Sequence, residues 1–193
     1  MSLLATVTLP NAFQYYDEWS VVNAGKLANH PNLIAHTSNA NVFNVNDLNA
    51  LSSTVTEIIV ENRCCRDPSF TVLDLRRFTN VRRIVIGDEA FMYVDQVTIT
   101  GLSKLESVEI GMNSFTKKKN GYGNDSNRHF YLQSCPKLKS LKIGRYSFSD
   151  YTVCVIESVN ALEVIEMGDL MSIVNSNFWH ASLELKSILI HSE

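Results

Sequence analysis

Four stretches of the chain are written on one template. VRRIVIGDEAF begins at Val81, LESVEIGMNSF at Leu105, LKSLKIGRYSF at Leu138 and LEVIEMGD at Leu162. Each runs aliphatic, two residues, aliphatic, one residue, aliphatic, glycine, and the first three then reach Ala or Ser followed by Phe. A degenerate copy, VTEIIVEN, opens at Val55. The openings at Val55, Val81, Leu105, Leu138 and Leu162 lie 26, 24, 33 and 24 residues apart. A period of that size predicts a solenoid, because one unit cannot bury its apolar side except against its neighbours.

A second, alternating pattern precedes each new unit: LDLRRF (73–78), VTITGL (97–102), FYLQSC (130–135) and CVIESV (154–159). Period-two alternation is the mark of a half-buried strand. The expected fold is therefore mainly β, with two short strands per coil of about 24 residues. Gly87, Gly111, Gly144 and Gly168 fall where the strand has to bend, and Phe91, Phe115 and Phe148 should form an internal column. Stacking in register would place like positions about 4.8 Å apart. Two rows then alternate in charge along the stack: Arg82, Glu106, Lys139, Glu163, and Val85, Glu109, Lys142, Glu166.

The last unit departs from the template. Phe178 aligns with the corner phenylalanine, which makes Leu183, Leu185 and Ile188 a second strand; the alternative is a new first strand opening at Leu185. Either reading leaves the final coil without a normal cap: either the protein continues, or residues 189–193 and a neighbouring chain cover that end, by end-to-end contact. Two domains follow: an N-terminal cap over 1–54 and a solenoid of about five coils over 55–193, with an insertion at 116–128. The cap holds Phe13, Tyr15, Tyr16 and Trp19, and a short helix over 48–52 capped by Asn46 or Asp47.

The runs IGDEAF (86–91), IGMNSF (110–115) and IGRYSF (143–148), with SCPKLKSLKIG (134–144), resemble the BspA-type leucine-rich repeats. Those repeats carry an IGxxAF corner and a cysteine three residues ahead of the opening leucine, the place of Cys135 before Leu138. Phe78, Leu102 and Val159 hold that place elsewhere, and here the second strand falls after the corner. The resemblance implies a β-rich leucine-rich repeat solenoid without shared catalytic residues. It also implies a place at the surface of bacteria or protist parasites, where such repeats bind host proteins.

Composition narrows the function classes. A formal net charge of -3 argues against a dedicated nucleic-acid binder, and no apolar run reaches the length that spans a membrane. MSLLATVTLP lacks the basic start and long apolar stretch of a signal peptide. Cys64, Cys65, Cys135 and Cys154 have neither zinc nor disulfide-framework spacing and read as buried free thiols. Nucleophile-elbow, Walker A and zincin motifs are missing, and GYGNDS (121–126) lacks the third glycine of a dinucleotide loop. Neither catalytic residues, nor a metal site, nor a cofactor is expected.

One stretch invites a binding role. SFTKKKNGYGNDSNRHF (114–130) supplies the nine residues that lengthen one 24-residue unit to 33. Inserted residues must leave a stacked core, and in repeat proteins they gather on one face that often binds. Lys117, Lys118 and Lys119 make a basic tip and Tyr122 an aromatic contact, with Arg128, His129 and Tyr131 where the chain rejoins the repeat. The partner expected is a protein or an acidic glycan. The outward row Thr98, Tyr131 and Val155 is a second candidate surface. An extracellular binding module and an intracellular scaffold or adaptor both fit, and a sequon at Asn124 leans towards the first.

Overall fold

The computed structural model describes residues 39–117, 125–168, 177–178 and 181–186. It is mainly β, built from two all-parallel sheets. The first holds β1 (Asn39–Val42), β2 (Glu57–Val60), β4 (Arg83–Ile86), β6 (Ser107–Ile110), β8 (Ser140–Ile143) and β10 (Val164–Met167), in that spatial order. The second holds β3 (Val72–Asp74), β5 (Gln96–Thr100), β7 (His129–Gln133), β9 (Val153–Glu157) and β11 (Ser182–Lys186), again in chain order. From β2 onward the chain alternates between the sheets, and each strand pairs with the like strand of the next unit.

Alternating side chains make one face of each strand apolar. In-register pairing then aligns Ile58, Ile84, Val108, Leu141 and Ile165 in one row of the first sheet. The same rule aligns Val97, Phe130 and Cys154 in the second. The inward faces of both sheets join one apolar cluster. Outside, each expected charge row holds an ion pair, Arg82 with Glu106 at 2.8 Å and Lys142 with Glu166 at 3.0 Å, and Arg83, which stands in neither row, pairs with Glu57 and Glu109.

The corners after β4, β6 and β8 are joined by three columns. Phe91, Phe115, Phe148 and Phe178 stack face to face, with centroids 5.2, 4.7 and 4.9 Å apart. Beside them runs a buried serine ladder. The Ser114 hydroxyl donates to Gly87 O at 2.7 Å and accepts from Ala90 N at 3.2 Å. Ser147 repeats this one unit on, donating to Gly111 O at 2.6 Å and accepting from Ser114 N at 3.0 Å. This is why the template asks for a small residue before the phenylalanine. The backbone passes through the left-handed region at Glu89 and Phe91, Asn113 and Phe115, and Tyr146 and Phe148. Strain at non-glycine residues persists only where surrounding packing imposes it.

The glycine column stands at the ends of the first-sheet strands, as expected, and has a further role there. Gly111 and Gly144 are not where the chain turns left-handed; they are where successive backbones come closest. A Cβ on Gly144 would lie 2.6 Å from Gly111 C, and one on Gly111 would lie 2.6 Å from Asp88 N. Of the four corner glycines, Gly168 has positive φ, at 82°. The first unit has the same corner without the template. Arg63 and Cys65 carry the two left-handed φ angles, so Cys65 takes the phenylalanine place, and Phe70 packs on Phe91 at 6.1 Å.

Two boundaries move. β1 pairs with β2, so the first sheet begins before the division drawn at residue 54. The helix, α1, spans Val45–Ala50, earlier than 48–52, and its N-cap is Asn44. Asn44 Oδ1 accepts from Asp47 N at 3.0 Å and Asp47 Oδ2 accepts from Asn44 N at 3.1 Å, a reciprocal box that Asn46 cannot form at its position inside the helix. The cap aromatics Phe13, Tyr15, Tyr16 and Trp19 lie outside the described residues. At the other end β11 pairs with β9, placing Leu185 opposite Ile156 as a second strand rather than as the opening of a first.

Close backbone approach predicts a contrast between two glycines. Gly111→Ala should destabilise by about 2–3 kcal/mol, since the new methyl group meets backbone that cannot yield. Gly101→Ala has open space, with nothing within 4 Å at φ 73°, so only backbone strain of about 1 kcal/mol applies. Urea unfolding of both variants checks the ordering; equal losses would contradict the close-approach account.

Candidate binding face and loop base

The insertion leaves the repeat after Thr116 and returns at Asp125, and both ends are tied to one buried side chain. Arg128 is 0% exposed, although its residue type favours the surface. Its Nη2 donates to Val94 O at 2.8 Å, Phe115 O at 2.9 Å and Met92 O at 3.2 Å. Its Nη1 donates to Asp150 Oδ2 at 3.3 Å, and the guanidinium lies 4.7 Å from the Tyr151 ring centroid. Tyr151 in turn donates its hydroxyl to Val94 O at 2.7 Å. A buried charge is tolerable only when paired and hydrogen-bonded, and the planar guanidinium meets carbonyls of separate segments at once.

The departing strand is held by the same carboxylates. Lys117 N donates to Asp150 Oδ2 at 3.1 Å and Lys117 Nζ pairs with Asp95 at 2.8 Å; Asp95 also lies 3.8 Å from Arg128 Nε. On the returning side, Thr152 Oγ1 donates to Asp125 O at 3.1 Å, and Arg128 N closes a turn onto Asp125 O at 3.0 Å. Arg128, expected among the contact residues, is thus a buried staple: its Nη1 donates to Asp150 and its Nη2 to main-chain carbonyls. Lys117 remains at the surface but is ion-paired to Asp95. Lys118, Lys119 and Tyr122 lie outside the described residues.

His129 and Tyr131 occupy alternate outward positions of β7. His129 Nε2 lies 2.8 Å from Ser126 O, and a carbonyl only accepts, so Nε2 carries the proton. Nδ1 is then free to accept from the Tyr131 hydroxyl at 3.3 Å, and the rings meet edge to face at 5.9 Å. Register places Thr98, Tyr131 and Val155 in one outward row and Gln96, His129 and Val153 in the next. In a third row Gln133 Nε2 donates to Glu157 at 2.9 Å, and Glu157 is the one carboxylate on the outward faces of β5, β7 and β9. The first sheet's outward rows are instead charged.

Asp95, Asp150 and Tyr151 were missed as partners of the loop base. A signal for one of them existed. Gln96 pairs with His129, which puts Asp95 and Arg128 side by side one residue earlier, opposite charges in neighbouring units like those of the outer rows. Asp150 and Tyr151 follow the corner phenylalanine of the next unit and left no pattern of their own. Among the described residues no group of three His, Cys, Asp or Glu could hold a metal ion. All four cysteines are buried free thiols.

Replacing Arg128 by Met leaves Asp150 buried against lost donors. It should cost about 3–5 kcal/mol in urea unfolding; a variant that unfolds like the parent would remove the staple. Burial also pushes the Cys154 thiol from 9.0 up to about 12, and raises Tyr151 as well. The folded state therefore keeps protons that the unfolded state releases. Stability is whole below about pH 9 and falls as pH rises towards 12. Melting temperature measured from pH 7 upward should decline over that window, less steeply after Cys154→Ala. No family model, curated protein or solved structure matches the chain.

Proposed function

We propose that the chain is a non-enzymatic binding module: a leucine-rich repeat solenoid of BspA-type character that presents one sheet face and an adjoining basic loop to a protein or an acidic glycan. One observation carries the reading. The outward face of β5, β7 and β9 is nearly free of formal charge and bears Tyr131 and His129 on a rigid parallel sheet, next to the stapled base of the insertion. Interfaces favour such aromatic anchors on preorganised surfaces, where little entropy is lost on contact. The two parallel sheets, the in-register pairing and the phenylalanine column support the solenoid architecture.

In this reading Lys117, Lys118, Lys119 and Tyr122 are the loop contacts, His129 and Tyr131 the face contacts, and Arg128 holds the two together. Lysines at the loop attract an acidic partner and make association salt-dependent. The setting favoured by the resemblance is a cell surface. The alternative, an intracellular scaffold or adaptor, is favoured by the four buried free thiols, since oxidising compartments favour disulfides.

The test compares three proteins in pull-downs and on glycan arrays: the parent, a Lys117→Ser/Lys118→Ser/Lys119→Ser variant, and Tyr131→Ala. Both variants should melt within a few degrees of the parent. The expected result is a partner whose binding weakens at least tenfold with the triple variant, and further at raised salt. Loss with Tyr131→Ala alone moves the site onto the sheet face. Absence of any partner for the parent overturns the binding reading. Glycan mass on Asn124 in protein from the native source would separate the cell-surface setting from the intracellular one.

A further inference from the structure

Two cysteines stand next to each other at the corner of the first unit, between β2 and β3. Cys135 and Cys154 are fully enclosed in the core. Cys64 and Cys65 are instead 4% and 5% exposed, and the stretch around them is surface: Arg63, Arg66, Asp67, Pro68 and Ser69 are all exposed. The adjacent thiols therefore lie just beneath the skin of the molecule, and they hydrogen-bond to each other. The bond from Cys65 pulls the Cys64 thiol below its ordinary value, and the same bond holds Cys65 up. Burial pushes Cys135 and Cys154 up as well. Cys64 is thus the one thiol of the four that ionises more readily than a free cysteine, and the thiolate is the form that attacks.

The pair also carries the corner. Cys65 takes the phenylalanine place, in the left-handed region at φ 56°. The Cys64 carbonyl accepts from Phe91 N at 3.1 Å, and Arg63 N donates to Asp88 O at 2.7 Å, so this stretch ties the first unit to the second. Consecutive Cα atoms stand about 3.8 Å apart, less than the roughly 4.4–6.8 Å that a disulfide spans without strain. A bond between these two sulfurs must therefore turn the peptide that joins them. That peptide bears the carbonyl to which Phe91 is bound.

We propose that Cys64 and Cys65 form a two-thiol modification site that reacts with small disulfides of the glutathione class. The Cys64 thiolate attacks one sulfur of the reagent, forming a mixed disulfide and expelling a thiolate, which takes up a proton. Cys65 no longer donates to a thiolate, so it releases its proton and attacks Cys64 Sγ. The Cys64–Cys65 bond forms and the second thiol leaves. The protein gives up two electrons and two protons, and the reagent gains both. Strain in the closed ring makes it easy to reduce, so the modification is reversible. Closure releases the corner from Phe91 and opens the exposed stretch from Arg66 to Ser69. None of this depends on which face binds a partner.

The experiment incubates the full chain with oxidised glutathione at mildly alkaline pH, without denaturant, and reads intact mass, peptide mapping and limited trypsin digestion. The expected product is a chain lighter by two hydrogens, bridged between Cys64 and Cys65 and restored by dithiothreitol. Cleavage after Arg66 should be about fivefold faster than in the reduced chain, as local opening gives. Cys65→Ala should stop the reaction at a mixed disulfide on Cys64, a gain of one glutathione, and Cys64→Ala should stay unmodified. The parent alone decides where the bridge forms, so a variant that fails to fold leaves the test intact. An unmodified parent, a bridge that includes Cys135 or Cys154, or a bridge between two copies overturns the proposal. A bridge at the pair with unchanged cleavage after Arg66 overturns the opening of the corner.

Discussion

Everything in this structure depends on how close one unit can come to the next at a single corner. There the main chains of successive units touch, and any side chain larger than hydrogen at Gly111 or Gly144 would overlap backbone. That approach sets the sheet register, because two strands of identical pattern can slide past each other only if the corner lets them. The serine hydroxyls fasten it: each takes up an orphan glycine carbonyl of the preceding unit and receives an amide in exchange. The phenylalanine stack then fills the space the turn encloses. Left-handed φ angles at bulky residues are the cost of aiming those rings inward, and the surrounding packing holds them there.

The same register explains how one unit accommodates nine extra residues without disturbing its neighbours. The insertion begins and ends at positions already fixed by the stack, and Arg128 ties both ends to main-chain carbonyls of the units around it. Such a guanidinium adds specificity more than net stability, since its desolvation offsets much of what its bonds contribute. Its effect is to decide where the loop's feet stand. The outward face of β5, β7 and β9 takes its straight rows from in-register pairing, and its scarcity of charge sets it apart from the salt-bridged face of the first sheet.

Much of this was legible in the sequence wherever a feature recurs. The two-strand alternation, the register and the charge rows all repeat, and repetition lets one unit vouch for another. Phe178 could be aligned with Phe148 across an irregular unit because the ring stack admits few substitutes. What recurs nowhere stayed hidden. Cys65 stands in the phenylalanine column of the first unit, and only backbone geometry reveals it. The place of the glycines at the strand ends is legible, but a template shows that a residue is small without showing which neighbour makes it so. Arg128 reads as a surface cation because charged residues generally are; a lone exception carries no periodic mark, although Asp95 one unit earlier is its clue.

The staple at the loop base has a consequence for variation. Closing a flexible loop costs little more as it lengthens, about 0.6 kcal/mol for each doubling. With both feet anchored by Arg128, Asp150 and Asp95, the segment between them can be exchanged for another of different length or chemistry while the stack beneath keeps its register. The fold separates a conserved-by-geometry frame from a replaceable cassette. A chain so arranged can rewrite a dozen residues without renegotiating the packing of the rest.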